Sequence, residues 1–142
     1  MNIKNHYLLN ASLETLHFET KEWIEEVRFW LDEIEILHTL VDRKMAQNKL
    51  EDQIHRDLQL NLRSLLDRLS DQTINELLEH ERYLSGLISI KEVANQEAYR
   101  QNHGRISLEM VRLRRDVRAL KIKVLQFLER KEFERYQGTP KK

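Results

Sequence analysis

Cysteine is absent from this 142-residue chain. That removes a disulfide frame, a thiol nucleophile and every zinc site built on thiolates, and it fits a reducing compartment. Glycine occurs three times and proline once, at Pro140. Sheets and tight hairpins need far more of both, so a strand-rich fold is excluded. There is no apolar run of about 18 residues, the minimum for a membrane-crossing helix, and the start MNIKNHYLLNASLETL lacks the shape of a cleavable signal. The expectation is a cytoplasmic protein without a membrane partner. Nor is there a Gly-x-Ser-x-Gly elbow, a phosphate-cradling Gly-rich loop or a dinucleotide fingerprint. No enzymatic activity is expected, and no cofactor.

Leucine and charged residues fill the space that these absences leave, and their spacing is helical. From Leu13, positions 13, 16, 20, 23, 27, 30, 34, 37 and 41 alternate steps of three and four and read Leu, Leu, Thr, Trp, Val, Trp, Ile, Leu, Val. Such a stripe lines one face of a helix and suits coiled-coil-like packing. The neighbouring column, His17, Ile24, Leu31, His38 and Met45, should edge the core. Gln47 to Lys49 interrupts the pattern. Leu50, Ile54, Leu58, Leu62, Leu65 and Leu69 restart it, and it continues, rotated by about a quarter turn at 100° per residue, through Leu77, Leu84 and Ile88. A last stripe joins Ile106, Met110, Leu113, Val117, Leu120, Val124 and Phe127.

These periods predict an all-α fold, an up-down-up antiparallel bundle of three long helices over 13–47, 50–90 and 104–135. It forms one domain over 1–136 with a disordered tail at 137–142. Lys91 to Gly104 reads as a polar connection. The alternative is four helices, with a turn at 70–73 and the capping-box pattern Thr73-Ile-Asn-Glu76 opening the extra one.

Three stretches, LHFETKEWIEE, LEHER at 78–82 and NHGRISLEMVRLRRDVRALKIKVLQFL at 102–128, resemble a small uncharacterised helical-bundle family of Bacteroidetes. Its members carry a His-Phe-Glu…Trp start, a central His-Glu and a His-x-Gly before the last helix. The resemblance implies three long helices with a continuous middle one, and no known activity. The chain departs from the family in lacking a proline between 91 and 104.

Six histidines and 17 glutamates raise the question of metal. Carboxylate-bridged di-metal bundles use Glu-x-x-His pairs, because i and i+3 share a helix face. Two such pairs occur, Glu14 with His17 and Glu35 with His38, but both lie on the first helix, about 31 Å apart at 1.5 Å per residue, and cannot share an ion. A second arrangement follows from folding the chain back near Asn48. His17 then stands level with His80, and the connection returns His103 to the same end. Glu81 and Glu19 lie near enough to join as ligands or as partners that orient the rings, and His17, His80, Glu81 and His103 are the candidate site for a divalent transition metal. Helix-capping histidines paired with carboxylates are the plainer reading of the same residues.

The charge is balanced, 24 basic against 24 acidic residues, yet polar along the chain. Residues 1–99 carry 11 basic and 19 acidic side chains, and residues 100–142 carry 13 and 5. The basic run from Arg112 to Lys123 could suggest nucleic acid, but in an up-down-up bundle Arg114 and Lys121 would face Glu19, Glu26 and Glu33 of the first helix. The charges then have an internal use, and no nucleic-acid partner is expected. One feature remains. Phe18, Phe29, Ile36 and Leu40 line a second apolar face of the first helix, within about 40° of one another at 100° per residue, interrupted by Glu22, Glu25 and Asp32. A monomeric bundle has no need of it. The expected function is a non-catalytic helical-bundle interaction or scaffold protein, a homodimer joined through that face or bound by it to a helical partner. The alternative is the metal-binding bundle.

Overall fold

The computed structural model describes residues 12–48, 53–90 and 96–130. The four stretches of α-helix are α1 (Leu13–Asn48), α2 (Gln53–Asp67), α3 (Ile74–Ile90) and α4 (Gln96–Glu129). A six-residue π-helix, Arg68–Thr73, joins α2 to α3 without a break. The result is three long helices, and no strand occurs among the described residues. Pairs across the helices give their directions. Glu26 with Arg114 and Glu33 with Lys121 set α1 and α4 parallel. Gln59 with Asp42 at one end and Glu81 with His17 at the other run α2–α3 antiparallel to α1.

Ser12 opens α1 as its N-cap: its hydroxyl accepts the Thr15 N–H at 3.1 Å and its carbonyl accepts the Leu16 N–H at 3.1 Å. The expected α1 stripe is the core stripe, buried from Leu16 to Val41 with Leu13 half-buried at its start. At the other end of the bundle the Lys44 ammonium donates to the carbonyls of Phe127 at 2.7 Å and Leu128 at 3.0 Å, and also to that of Arg130. It thereby gathers carbonyls at and just beyond the last turn of α4, where helical donors run out; that of Phe127 also accepts the Arg130 N–H at 3.2 Å.

The middle helix is continuous, as the three-helix expectation has it, and departs from the expected stripe at its start. His55, not Ile54, holds the first buried position of α2, and Ile54 is exposed. The four-helix alternative is overturned at 70–73. Asp67 and Ile74, on either side of the π-helix, both keep right-handed helical dihedrals, and the Ile74 N–H donates to the Leu69 carbonyl over a five-residue span. Thr73 is buried in the helix instead of capping a new one. The cause lies in the spacing. Buried positions step by three and four from His55 to Leu69, then by four, four, three and four through Thr73, Leu77, His80 and Leu84. That is one residue too many for a uniform α-helix to keep on one face. A π turn absorbs the surplus residue, so the apparent quarter-turn rotation of the stripe never has to be expressed.

The last helix begins at Gln96, eight residues before the expected start at 104, so much of the supposed connection is helix. Tyr99 and His103 are buried and extend the stripe of Ile106 and Met110 backwards in steps of four and three. Nothing between 96 and 104 stops a helix: there is no proline, and Gly104 lies within α4. The expected turn at 47–49 and the helix start at 50 lie partly outside the described residues, as do the rest of the connection at 91–95, the helix end at 135 and the tail at 137–142.

Two apolar clusters fill the interior. The larger runs from Trp23, Leu77 and Ile106 to Val41, Leu58 and Phe127. The smaller is Leu16, Leu84 and Tyr99 near the other end. Complete burial of each aliphatic side chain contributes roughly 1.5–3 kcal/mol before the entropy of ordering is set against it. Of the five buried polar residues among those described, none of which belongs to either cluster, Thr20, His80 and His103 make one layer, with a residue from each long helix.

Candidate functional site

Each helix gives this polar layer one residue at a position that the seam would otherwise fill with an aliphatic one. Thr20 is neutralised locally, its hydroxyl donating to the Leu16 carbonyl at 2.8 Å. The two histidines are neutralised by each other. His80 Nε2 lies 3.0 Å from His103 Nδ1, and His103 Nε2 lies 2.6 Å from Glu19 Oε1. On the other side, Asn102 Nδ2 is 3.2 Å from His80 Nδ1. The Asn102 carbonyl oxygen accepts from Arg105 Nη2 at 2.9 Å, and that guanidinium is also 2.5 Å from Glu76. Trp23 stacks on the His103 ring, centroid to centroid 4.7 Å at 24°.

One arrangement of hydrogens satisfies every contact with both rings neutral. Because Arg105 can only donate, the Asn102 oxygen is fixed toward it and the Asn102 amide N–H points at His80 Nδ1. His80 therefore carries its hydrogen on Nε2 and donates to His103 Nδ1. His103 carries its own on Nε2 and donates to Glu19. All the donors point one way, from the Arg105 cation to the Glu19 anion. Burial, then the neighbouring His103 and Arg105, pushes the His80 pKa down to about 4. Burial also lowers that of His103, against the opposing hydrogen bond and charge of Glu19. Both rings are thus neutral at pH 7, as the hydrogen pattern requires.

His80 and His103 meet as expected, but the candidate set resolves into two groups. Glu19, not Glu81, is the carboxylate on the pair, and Glu81 takes His17 instead, with Oε2 2.7 Å from Nε2 at the half-buried edge. A metal ion held by His80 and His103 would have to displace hydrogen bonds that occupy all four of their ring nitrogens. The di-metal pairs are also spent elsewhere or left apart. His38 leans on Asp42 at 3.3 Å, and among the described residues no three His, Asp or Glu side chains are grouped as metal ligands. Asn102 was not foreseen, because the stretch that bears it reads as a polar connection, and nothing in the spacing singled out Arg105 at the start of the expected last helix.

The second expected site is a surface. Phe18, Phe29, Ile36 and Leu40 are 63%, 62%, 61% and 36% exposed, and Glu22, Glu25 and Asp32 between them are exposed as well. Sequence reasoning missed its neighbour. Leu108, Val111, Ile122 and Leu125 of α4 are about half exposed, and with Arg115 and Arg118 they follow the same alternation of three and four. At 100° per residue both stripes adjoin the line where α1 meets α4. That line is closed by Arg114, which holds Glu26 through Nε at 2.7 Å and Nη2 at 2.9 Å, and by Lys121 on Glu33 at 3.1 Å. The hydrogen bond to Glu26 raises the Arg114 pKa, against the opposing effect of burial. Glu19, the third acid expected on this flank, is engaged by His103 instead.

No helix among the described residues is long and apolar enough to cross a membrane. Compared with protein-family models, curated proteins and solved structures, the chain matches none.

Proposed function

We propose that the protein is a non-catalytic interaction module that works as a homodimer through the outer face of α1. The exposure of Phe18, Phe29 and Ile36 carries this reading, three large side chains on one stripe, each more than half open to water. Apolar area of that extent on one face of a small domain is characteristic of contact surfaces. Glu22, Glu25 and Asp32 sit where a rim or a basic partner would receive them. The histidine chain supports a binding rather than a catalytic role. A general base or nucleophile must present a free atom to a substrate, whereas every ring nitrogen of His80 and His103 is directed at another side chain. The expected cytoplasmic setting belongs to the same proposal.

Sedimentation velocity tests it. Wild-type protein at about 100 μM, well above a micromolar dissociation constant, sediments as a dimer, and Phe29→Glu with Ile36→Lys sediments as a monomer of unchanged helicity. A monomeric wild type at that concentration overturns the proposal.

A further inference from the structure

We infer that the two copies lie parallel, related by a two-fold axis along the bundle, so that α1 of each packs against α4 of the other. This rests on the reading of the chain as a homodimer.

The occupant of the face is argued from charge. On the flanks that face each other within the chain, acids and bases are paired: Glu26 with Arg114, Glu33 with Lys121, Glu76 with Arg105 and Glu109 with Arg68. The exposed stripes keep what is left over. Glu22, Glu25 and Asp32 on α1, and Arg112, Arg115 and Arg118 on or beside the α4 stripe, have no ion-pair partner among the described residues. One stripe is apolar with acids, and the other is apolar with bases. A surface carrying both is complementary to a second copy of itself.

The direction follows from register. Glu26 and Arg114 are 88 positions apart and so are Glu33 and Lys121, which fixes the heights along the parallel α1 and α4. At that offset Arg112, Arg115 and Arg118 stand level with Ile24, Val27 and Trp30, within the span of Glu22 to Asp32. Farther along, both stripes reverse sign: Arg43 near the end of α1 stands close to the height of Glu129 at the end of α4. The apolar residues also match in height, Leu108 with Phe18 and Leu125 with Ile36, each within two positions.

A two-fold axis lying in the interface along the helices sets α1 against the partner's α4 at equal height, acid against base throughout and reversed together at the end. An axis across the helices would set α1 on α1 and α4 on α4, antiparallel, with like charges facing at the centre. Eight half-exposed apolar side chains, at about 100 Å² each, bring on the order of 800 Å² per protomer, the size of an ordinary stable interface.

The absence of cysteine makes the test clean. Ile36→Cys and Leu125→Cys variants are prepared separately, reduced, checked for dimers by sedimentation, and oxidised alone and as a mixture. The expected result is covalent dimer in the mixture and little from either variant alone. In a second arm, Glu25→Arg weakens the wild-type dimer at least tenfold, and adding Arg115→Glu to the same chain restores it. Dimers that cross-link from Ile36→Cys alone, or that ignore the charge swap, overturn the parallel arrangement and leave self-association standing. A monomeric wild type removes both.

Discussion

His80 donates its Nε2 hydrogen to His103 Nδ1 across 3.0 Å in a layer where the two residues are 3% and 0% exposed. Protonation of His103 at Nδ1 removes the acceptor of the bond that joins α3 to α4, and protonation of His80 at Nδ1 removes the acceptor of the Asn102 amide. The third helix joins through Glu19, so one chain of side chains spans the bundle.

Acid should therefore unfold this protein through its histidines before its carboxylates. The His80 pKa falls from 6.5 in the unfolded chain to about 4 in the folded one. Above pH 6.5 neither state binds the proton and stability is unaffected. As the pH falls from 6.5 to 4 the unfolded state binds it first, so stability declines, by up to roughly 3 kcal/mol for this group alone. His103 shifts in the same direction and adds to the loss. Urea midpoints should fall steeply between pH 7 and pH 5, and the slope should shrink in His80→Leu whatever the absolute stability of that variant. An unchanged slope would show that the histidines are not the groups titrating.

Glu19 is the acceptor at the end of the chain, and its replacements should rank by what they leave for His103. Glu19→Gln keeps an oxygen within reach and loses only the charge, costing about 1 kcal/mol. Glu19→Ala leaves a buried N–H without a partner and costs about 2–3 kcal/mol. Equal midpoints in urea for the two variants would mean that water reaches His103 and completes its hydrogen bonds.

The outer ion pairs should matter less. Lys121 and Glu33 are each about one-third exposed, at 35% and 29% of their side-chain surface. A double-mutant cycle through Glu33→Lys and Lys121→Glu should return a coupling of about 0.5 kcal/mol that shrinks as salt is raised from 0.05 to 0.5 M. A coupling near zero at low salt would place these side chains apart in solution.

Deleting one residue should have opposite results at two nearby places. Ser70 lies exposed within the π segment, and its removal takes out the surplus position, leaving an α-helix with its buried residues in steps of three and four. The melting temperature of that variant should hold or rise. Removing Arg63, equally exposed but within α2, breaks the step from Leu62 to Leu65 and should cost several degrees. If the two deletions melt alike, the π turn is not the element that absorbs the mismatch.

Much of this architecture is legible in the chain because burial follows period. The α1 stripe, the continuous aliphatic part of α4 and the meeting of His80 with His103 all follow from spacing and from one fold-back near Asn48. What escapes is polar. Tyr99 and His103 occupy seam positions without being aliphatic, which concealed the first two turns of α4 behind what looked like a connection. His55 took the place expected of Ile54 for the same reason. Glu19 stands within reach of both His103 and Arg114 along the chain, and side-chain geometry, not spacing, decided between them. The exposed stripe on α4 went unseen because Arg115 and Arg118 interrupt it, although they are what gives it a sign.

The six residues from Arg68 to Thr73 also determine where the chain tolerates a change in length. In the rest of the middle helix, gaining or losing one residue turns everything beyond it by about 100°, carrying Leu84 and His80 out of the interior and bringing Glu79, for a gain, or Glu81, for a loss, toward it. The π turn is the reserve in the sequence, the place where a lost residue is made good locally and the histidines keep their address. Variation in the length of this helix should therefore collect in that one turn, and elsewhere should come only in whole heptads.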